Sequence, residues 1–397
     1  MAYTTINDQF LISGYLQDID NNEDYSLNGC FKMVGIQKDF LNAIYPKFSV
    51  VLIVTQDIYD IIQKNNVKLA LKIESFSALD AIEDEENDTP IVEDVVVNTI
   101  LRLYDKNLTK IAVKSDDDSE TKEESPIENQ KYQIQLIGYP DKILELNDTI
   151  VNDVYSNTSI DEILTDIYGQ NNLLYLDSSD NKQREKTLLI PPMNITRAID
   201  YLQENYGIYD TDILHFFDVD KTYICKRFSS AEGSYENILD IQVQEISDVS
   251  STSYTNIQID DENNLKKVLD SAPIYTSIKD VNDNLIGGTA IFGSYGSEFE
   301  LVSRTYERDK NNSKVRYYWN SNKSELFEKA AVNSTSIQSV INISNLNPKY
   351  ITPKTRVNIN CEDELCKGSY DISEMRVSFS SGNMKTYTGT ILLTIIK

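Results

Sequence analysis

The chain has 397 residues, 40% of them hydrophobic and 10% aromatic, which is enough for two or three domains with buried cores. Its 37 Lys and Arg against 63 Asp and Glu leave a formal net charge of −26. That charge excludes the basic stripe of a nucleic-acid-binding surface and docking on anionic membranes, but it suits an acidic wall past which a polyanion slides without sticking.

The N-terminal stretch "MAYTTINDQFLISGYLQDIDNNED" has no basic n-region and no long apolar run, so it reads as neither a signal peptide nor a membrane span. No later segment approaches about 18 uninterrupted apolar residues. The four cysteines, Cys30, Cys225, Cys361 and Cys366, do not make a secreted-type disulfide framework, and the expected site of synthesis is a cytoplasm. Tyrosine (25) outnumbers phenylalanine (12). A tyrosine buries a ring while keeping a polar end, so this bias fits a heavily contacted surface.

In chain order, "GCFKMVGIQKDF" (29–40), "KFSVVLIVTQ" (47–56) and "VKLALKIESF" (67–76) read as strands, the last by its alternation of apolar and polar positions. "DIYDIIQKN" (57–65) puts Ile58, Ile61 and Ile62 on one helical face. Together they predict a small β-barrel or sheet with one short helix. "EDEENDTP" (83–90) and "KSDDDSETKEESPIENQ" (114–130) are acidic breaks that bury nothing and read as exposed loops between strands at 92–107 and 131–140. The Asp116-Asp117-Asp118 cluster lacks the glycine of an EF-hand loop and reads as solvated.

Residues 147–228 change character. "NTSIDEILTDIYG" (157–169) carries a capping box, Ser159 with Glu162, a stripe of Ile160, Ile163, Leu164 and Ile167, and Gly169 as its stop. A loop is expected over 170–186. Pro191 and Pro192 end a strand. Asn194 caps a second helix, which lines up Ile195, Ala198, Ile199, Leu202 and Tyr206 and stops at Gly207. "DILHFFDVDKTYICKRF" (212–228) is β-like. Beyond it, 237–246 reads as strand, 261–272 as a short helix or turn, 282–297 as a glycine-rich turn region, and 322–344 as a helix running into a strand. The last fifty-odd residues return to β, with Val357 and Ile359 on one face and Ile372, Met375, Val377 and Phe379 on a half-buried strand.

No catalytic set emerges. His215 is the single histidine and alternates with Leu214 and Phe216 as a structural side chain does. Asp218 and Asp220 share a strand face as a carboxylate pair would, but read as a solvated edge. Cys361 and Cys366 in "CEDELC" lack two further zinc ligands and read as free thiols in a hairpin loop, with a local disulfide as the alternative. Gly287, Gly288, Gly293 and Gly296 lack the spacing of a phosphate-binding loop. The reading is non-enzymatic, with no catalytic, metal or cofactor residues.

The C-terminal segment, with Ile351, Pro353, Val357, Tyr370, Ile372, Glu374 and Met375, resembles the second tube barrel of the central baseplate hub proteins of contractile phage tails, of the T4-like kind. The helical middle and the order β, α/β, β extend the resemblance over most of the chain. It implies an α+β, mostly β fold: two tail-tube-like β-barrel domains, 1–146 and 331–397, around a mixed α/β middle domain, 147–330. It further implies a structural virion protein, assembled in the host cytoplasm. A homotrimeric hub would adapt the sixfold tail tube to the threefold central spike. Its partners would be spike, tube or tube-initiator and wedge proteins, with DNA passing through the channel and no membrane contact. A tail-associated cell-wall or capsule hydrolase and a receptor-binding module are the alternatives.

Overall fold

The computed structural model describes residues 8–77, 94–113, 131–169, 173–182, 184–185, 187–209, 213–226, 235–243, 335–344, 346–360, 367–383 and 386–396, together with five strands between 256 and 307. The acidic loops at 83–90 and 114–130, the "CEDELC" loop, Gly293, Gly296 and the helix expected within 322–334 lie outside the described residues. The described chain is mostly β.

Six of the first seven strands, β1 (Asp8–Asp18), β3 (Phe31–Asp39), β4 (Lys47–Thr55), β5 (Val67–Ser77), β6 (Asp94–Val113) and β7 (Lys131–Pro140), belong to one antiparallel ring, while β2 (Glu23–Ser26) pairs with β1 alone among the described residues. The ring order is β1-β5-β6-β7-β4-β3, and it is closed by the last two strands of the chain, β23 (Gly368–Asn383) and β24 (Thr386–Ile396). β3 pairs with β23, β23 with β24, and β24 returns to β1 through Gln9↔Thr388 and Phe10↔Tyr387. Alternation sends Phe10, Leu16, Val34, Phe48, Val50, Leu52, Leu69, Leu71, Leu136 and Phe379 inward, all at most 1% exposed. Phe10 and Phe379 meet edge-to-face at 4.8 Å. An eight-strand ring is just wide enough to be filled by side chains, so this one is a packed core and not a pore. Helix α1 (Gln56–Lys64) covers it with Tyr59 and Ile62.

β23 is 16 residues long, more than one ring needs. Its first part pairs with β22 (Thr355–Asn360), which runs parallel to β15 (Asn237–Val243). The far end of β24 pairs with β21 (Thr335–Ser344). The ladder continues on both sides through β16 (Asn256–Ile259), β17 (Leu265–Leu269), β18 (Ile274–Asp280), β19 (Leu285–Ile291) and β20 (Phe299–Glu307). A one-residue register shift between Ile372 and Glu374 moves the apolar positions of β23 from even to odd numbers. This is how Ile372 shares a buried face with Met375, Val377 and Phe379.

Between the ring strands and β15 lies an α/β unit with its own core. It holds α2 (Asp141–Asp148), β8 (Ile150–Tyr155), β9 (Thr158–Ser159), α3 (Ile160–Tyr168), β10 (Leu173–Leu176), β11 (Arg184–Glu185), β12 (Leu188–Asn194), α4 (Ile195–Asn205), β13 (Ile213–Phe217) and β14 (Lys221–Lys226). The capping box on α3 forms as expected, with Ser159 Oγ accepting from the Glu162 N–H at 3.3 Å and Glu162 Oε2 accepting from the Ser159 N–H at 2.9 Å. α4 ends at Gly207, whose φ of +73° and N–H bond to the Leu202 carbonyl make a left-handed C-terminal cap. The β13–β14 hairpin is a party wall. Leu214, Phe216, Tyr223 and Cys225 face the ring core, and Phe217 and Ile224 face the α/β core.

The β3–β23 and β1–β24 pairings link strands across the expected boundaries at 146 and 331, a connection that local sequence patterns do not encode. Other expectations need correction. Within 261–272, expected as a helix or turn, Leu265–Leu269 is a strand paired with β20. Within the glycine-rich 282–297, Leu285–Ile291 is a strand, and Gly287 sits beside a register shift. The 170–186 loop holds β10, parallel to β14, and the short β11. Pro191 and Pro192 do not end their strand but occupy a bulge within it, between Ile190 and Met193. Helix α2 follows Pro140, and its eight residues are too few for a clear periodic signal.

Ring closure depends on the absence of a side chain at Gly389, where a Cβ would lie 2.7 Å from Phe10 Cε2. Gly389→Ala is expected to lower stability by about 1–3 kcal/mol through overpacking. Adding Phe10→Leu should recover part of that loss, as thermal unfolding of the single and double variants will show.

Candidate functional site

His215 lies on β13 with its side chain 11% exposed, and its Nδ1 faces Asp200 Oδ1 of α4 at 3.5 Å. Asp218 follows at the end of the strand and is buried, accepting from Lys38 Nζ of β3 at 2.5 Å. Asp220 is exposed in the same turn. The expected shared strand face for Asp218 and Asp220 is therefore corrected. β13 stops at Phe217, the turn separates the two carboxylates, and Asp218 is a buried ion-pair member that ties the hairpin to the ring. Burial raises the Cys225 thiol, and it also raises that of half-buried Cys30, so neither is an activated nucleophile. Among the described residues, no three potential metal ligands gather.

The described polar chemistry concentrates where the α/β unit meets the strands shared with the second β layer. The β-sheet positions four cations there: Lys221 and Lys226 at the two ends of β14, Lys354 just before β22, and Arg356 on β22. Facing them are Asp177 and Asp180 after β10, Glu236 before β15 and Asp371 on β23. Lys354 is the most enclosed, with its side chain 3% exposed and Nζ 3.1 Å from Asp177 Oδ2. Asp177 Oδ2 also accepts the Lys226 N–H at 2.9 Å. Lys226 Nζ pairs with Asp180, and Lys221 Nζ with Glu236. Glu236 Oε2 further accepts from Tyr223 (3.1 Å) and Thr352 (3.2 Å).

Aromatic rings finish the enclosure. Lys354 Nζ and Arg356 Cζ both lie 5.2 Å from the Tyr235 ring centroid, within cation–π range. The Tyr235 hydroxyl donates to Asp371 Oδ1 at 2.8 Å. Burial raises the Asp371 carboxyl above its ordinary value, although the Tyr235 hydrogen bond, Lys354 and Arg356 pull the other way. Burial also raises the Tyr209, Tyr223 and Tyr235 hydroxyls, so they remain donors. Four carboxylates against four cations make a charge-balanced joint with no vacant nucleophile. Its chemistry holds two cores in one orientation. Sequence reading missed it because its members run from Asp177 to Asp371 with no local spacing. Nor does the sequence around Lys354 mark it: Ile351 to Thr355 reads Ile-Thr-Pro-Lys-Thr, with no apolar run, yet all five residues are buried.

A second ionic cluster sits on the ring. Asp141, at the start of α2, receives Lys68 Nζ at 2.5 Å and Arg102 Nε at 2.7 Å. Burial opposes its ionisation, but hydrogen bonds from these two cations outweigh burial and hold its carboxyl below the ordinary value.

The buried joint predicts opposite outcomes for two similar substitutions. Asp177→Asn strands the Lys354 ammonium and should cost about 3–5 kcal/mol. Asp371→Asn keeps an acceptor for Tyr235 and removes a charge that burial disfavours. A carboxyl raised on folding contributes stability fully below its unfolded value of about 3.9, and loses it as pH rises through the folded value. Asp371→Asn should therefore gain on the wild type as pH rises from about 3 to about 7, as urea unfolding at those two pH values will measure.

The sequence matches the Bacteriophage PBS1 gene 109 protein family over residues 8–396. No curated protein matches it. Among solved structures, the chain is similar to the tail protein from Neisseria meningitidis MC58, with a TM-score of 0.39 and 10% identity over 97% of this chain and 96% of that one. It is similar, again with a TM-score of 0.39 and 10% identity, to the prophage MuSo2 43 kDa tail protein from Shewanella oneidensis over 96% of both chains. A third is the E. coli c3393 protein, at a TM-score of 0.39 and 8% identity over 92% of this chain and 73% of that one. It is described as a type VI secretion component with structural similarity to the T4 tail proteins gp27 and gp5. The extent of the family match, from the first strand of the ring to the last, decides the assignment: the chain belongs to the Bacteriophage PBS1 gene 109 protein family.

Proposed function

We propose that this phage protein is a structural subunit of the virion tail, a central baseplate hub that assembles as a homotrimer. One observation carries the reading: a closed β ring and a second β layer share a single hairpin, β23–β24. A subunit with two β modules, repeated three times around an axis, presents six modules. That ring joins a sixfold tail tube on one side to a threefold spike on the other. In this reading the first tube-like module is the early strands plus one part of the hairpin, and the second is β15–β22 plus the other part. The α/β unit, residues 141–226, sits outside them and is fixed by the charge-balanced joint. Tube or tube-initiator, spike and wedge proteins are its partners.

The ring interior is filled, so the channel for DNA lies between subunits and not through one. A wall built from −26 subunits repels the phosphate backbone and lets DNA pass without specific binding. The subunit's work is mechanical, and lytic activity belongs to a partner.

Acidic subunits repel each other across their contacts, and screening relieves this. The Debye length falls from about 30 Å at about 0.01 M salt to about 8 Å at about 0.15 M. Mass photometry should find a trimer whose population grows over that salt range. A chain that stays monomeric at micromolar concentration in both conditions, and with tube and spike proteins added, contradicts the proposal.

A further inference from the structure

The β8–β12 ribbon carries an apolar face with no cover among the described residues. Its inner side packs Val151, Leu188 and Ile190 into the α/β core against α4. Its outer side shows Ile150 (58% exposed) and Val154 (64%) on β8, and Leu189 (50%) on β12. Leu189 and Val154 are direct cross-strand partners. Asn152, between Ile150 and Val154, is exposed as well. These are among the most exposed large apolar side chains described, in a chain dominated by acidic surface.

The two edges of the ribbon differ. No third described strand pairs with it on either side. On β12, Pro191 and Pro192 have no N–H to offer, and the Leu189 carbonyl accepts from the Tyr201 hydroxyl at 3.0 Å. That edge is closed to strand addition. β8 contains no proline, and its outer edge is open. An open edge beside an apolar row is the arrangement by which a sheet takes up an extended segment. Main-chain bonds supply affinity, and alternate side chains supply fit.

Charge selects the occupant. Asp148, its side chain 71% exposed and its one described cation, Arg102, 3.9 Å away, stands at the start of β8. Asp153 is exposed within β8, and Asp166 accepts from the Tyr155 hydroxyl at its end. A second copy pairing β8 to β8 would bring these carboxylates together. We infer that the β8 edge docks an extended segment of a different protein, with alternating apolar residues and basic residues at both ends, by adding it as a third strand. This goes beyond the hub reading and does not depend on it.

The test titrates the full-length protein with the synthetic peptide Lys-Val-Thr-Val-Thr-Val-Lys, followed by fluorescence anisotropy. Saturable binding is expected. Val154→Asp and Leu189→Asp should each weaken it about tenfold or more, the scale of one lost anchoring contact. Both positions are exposed, so the variants should keep the wild-type thermal midpoint. A Glu-flanked peptide should bind correspondingly worse. Of two Lys-flanked peptides N-methylated on alternate amides in opposite phase, only one should bind. Absence of saturation, equal binding of Lys- and Glu-flanked peptides, indifference to Val154→Asp, or self-association abolished by Val154→Asp would each overturn the inference.

Discussion

The two strands of the C-terminal hairpin change partners part-way along their length, and the rest of the molecule is arranged around that switch. β23 leaves β22 for β3, and β24, running back, leaves β1 for β21. A strand of 16 residues is on the order of 50 Å long at about 3.3 Å per residue. It can therefore serve as a wall of two β modules in succession. The bulge at Ser373 keeps the hydrophobic face pointing inward as the partner changes, because a strand that changes register by one residue would otherwise expose its whole apolar set. Closing the first ring from sequence-distant ends also removes its open edges, which protects the ring strands from unwanted pairing.

The α/β unit is held to this frame in two chemically different ways. The β13–β14 hairpin is buried on both faces and so belongs to both cores at once. The ionic joint around Lys354 adds direction. Buried ion pairs contribute little net stability, because desolvation offsets attraction, but breaking one partner is costly. Such a joint penalises every other orientation more than it stabilises the correct one. Asp218 with Lys38 and Phe40 with Phe216, edge-to-face at 4.9 Å, repeat the pattern on the ring side.

What was legible in the sequence was local. The capping box of α3, the apolar stripe and glycine stop of α4, and the alternation of β5 each lie within a dozen residues, where propensity and periodicity operate. The strand identity of 265–269 and 285–291 was hidden because pairing with distant strands overrode a helix-like spacing in one case and glycine content in the other. The ring closure, the burial of Asp218 and the eight-member joint are products of contacts separated by up to several hundred residues, such as Gln37 with Glu374. No spacing rule reaches across that interval. The hub resemblance supplied the order of elements, but not the pairing of the C-terminal hairpin with the first strands of the chain.

The N- and C-terminal strands share one ring, and a cysteine cross-link across the seam tests that closure. Gln9 and Thr388 are register partners across the seam between β1 and β24. Neighbouring strands bring Cα atoms within the separation a disulfide requires, roughly 4.4–6.8 Å. The pair Gln9→Cys with Thr388→Cys should oxidise to an intramolecular bond in the folded protein, seen as a mobility shift reversed by reductant and absent from either single variant. Gly35→Cys with Ser49→Cys, partners on β3 and β4, is the positive control. Cross-linking of the control without the seam pair would show that the first and last strands do not close a common ring.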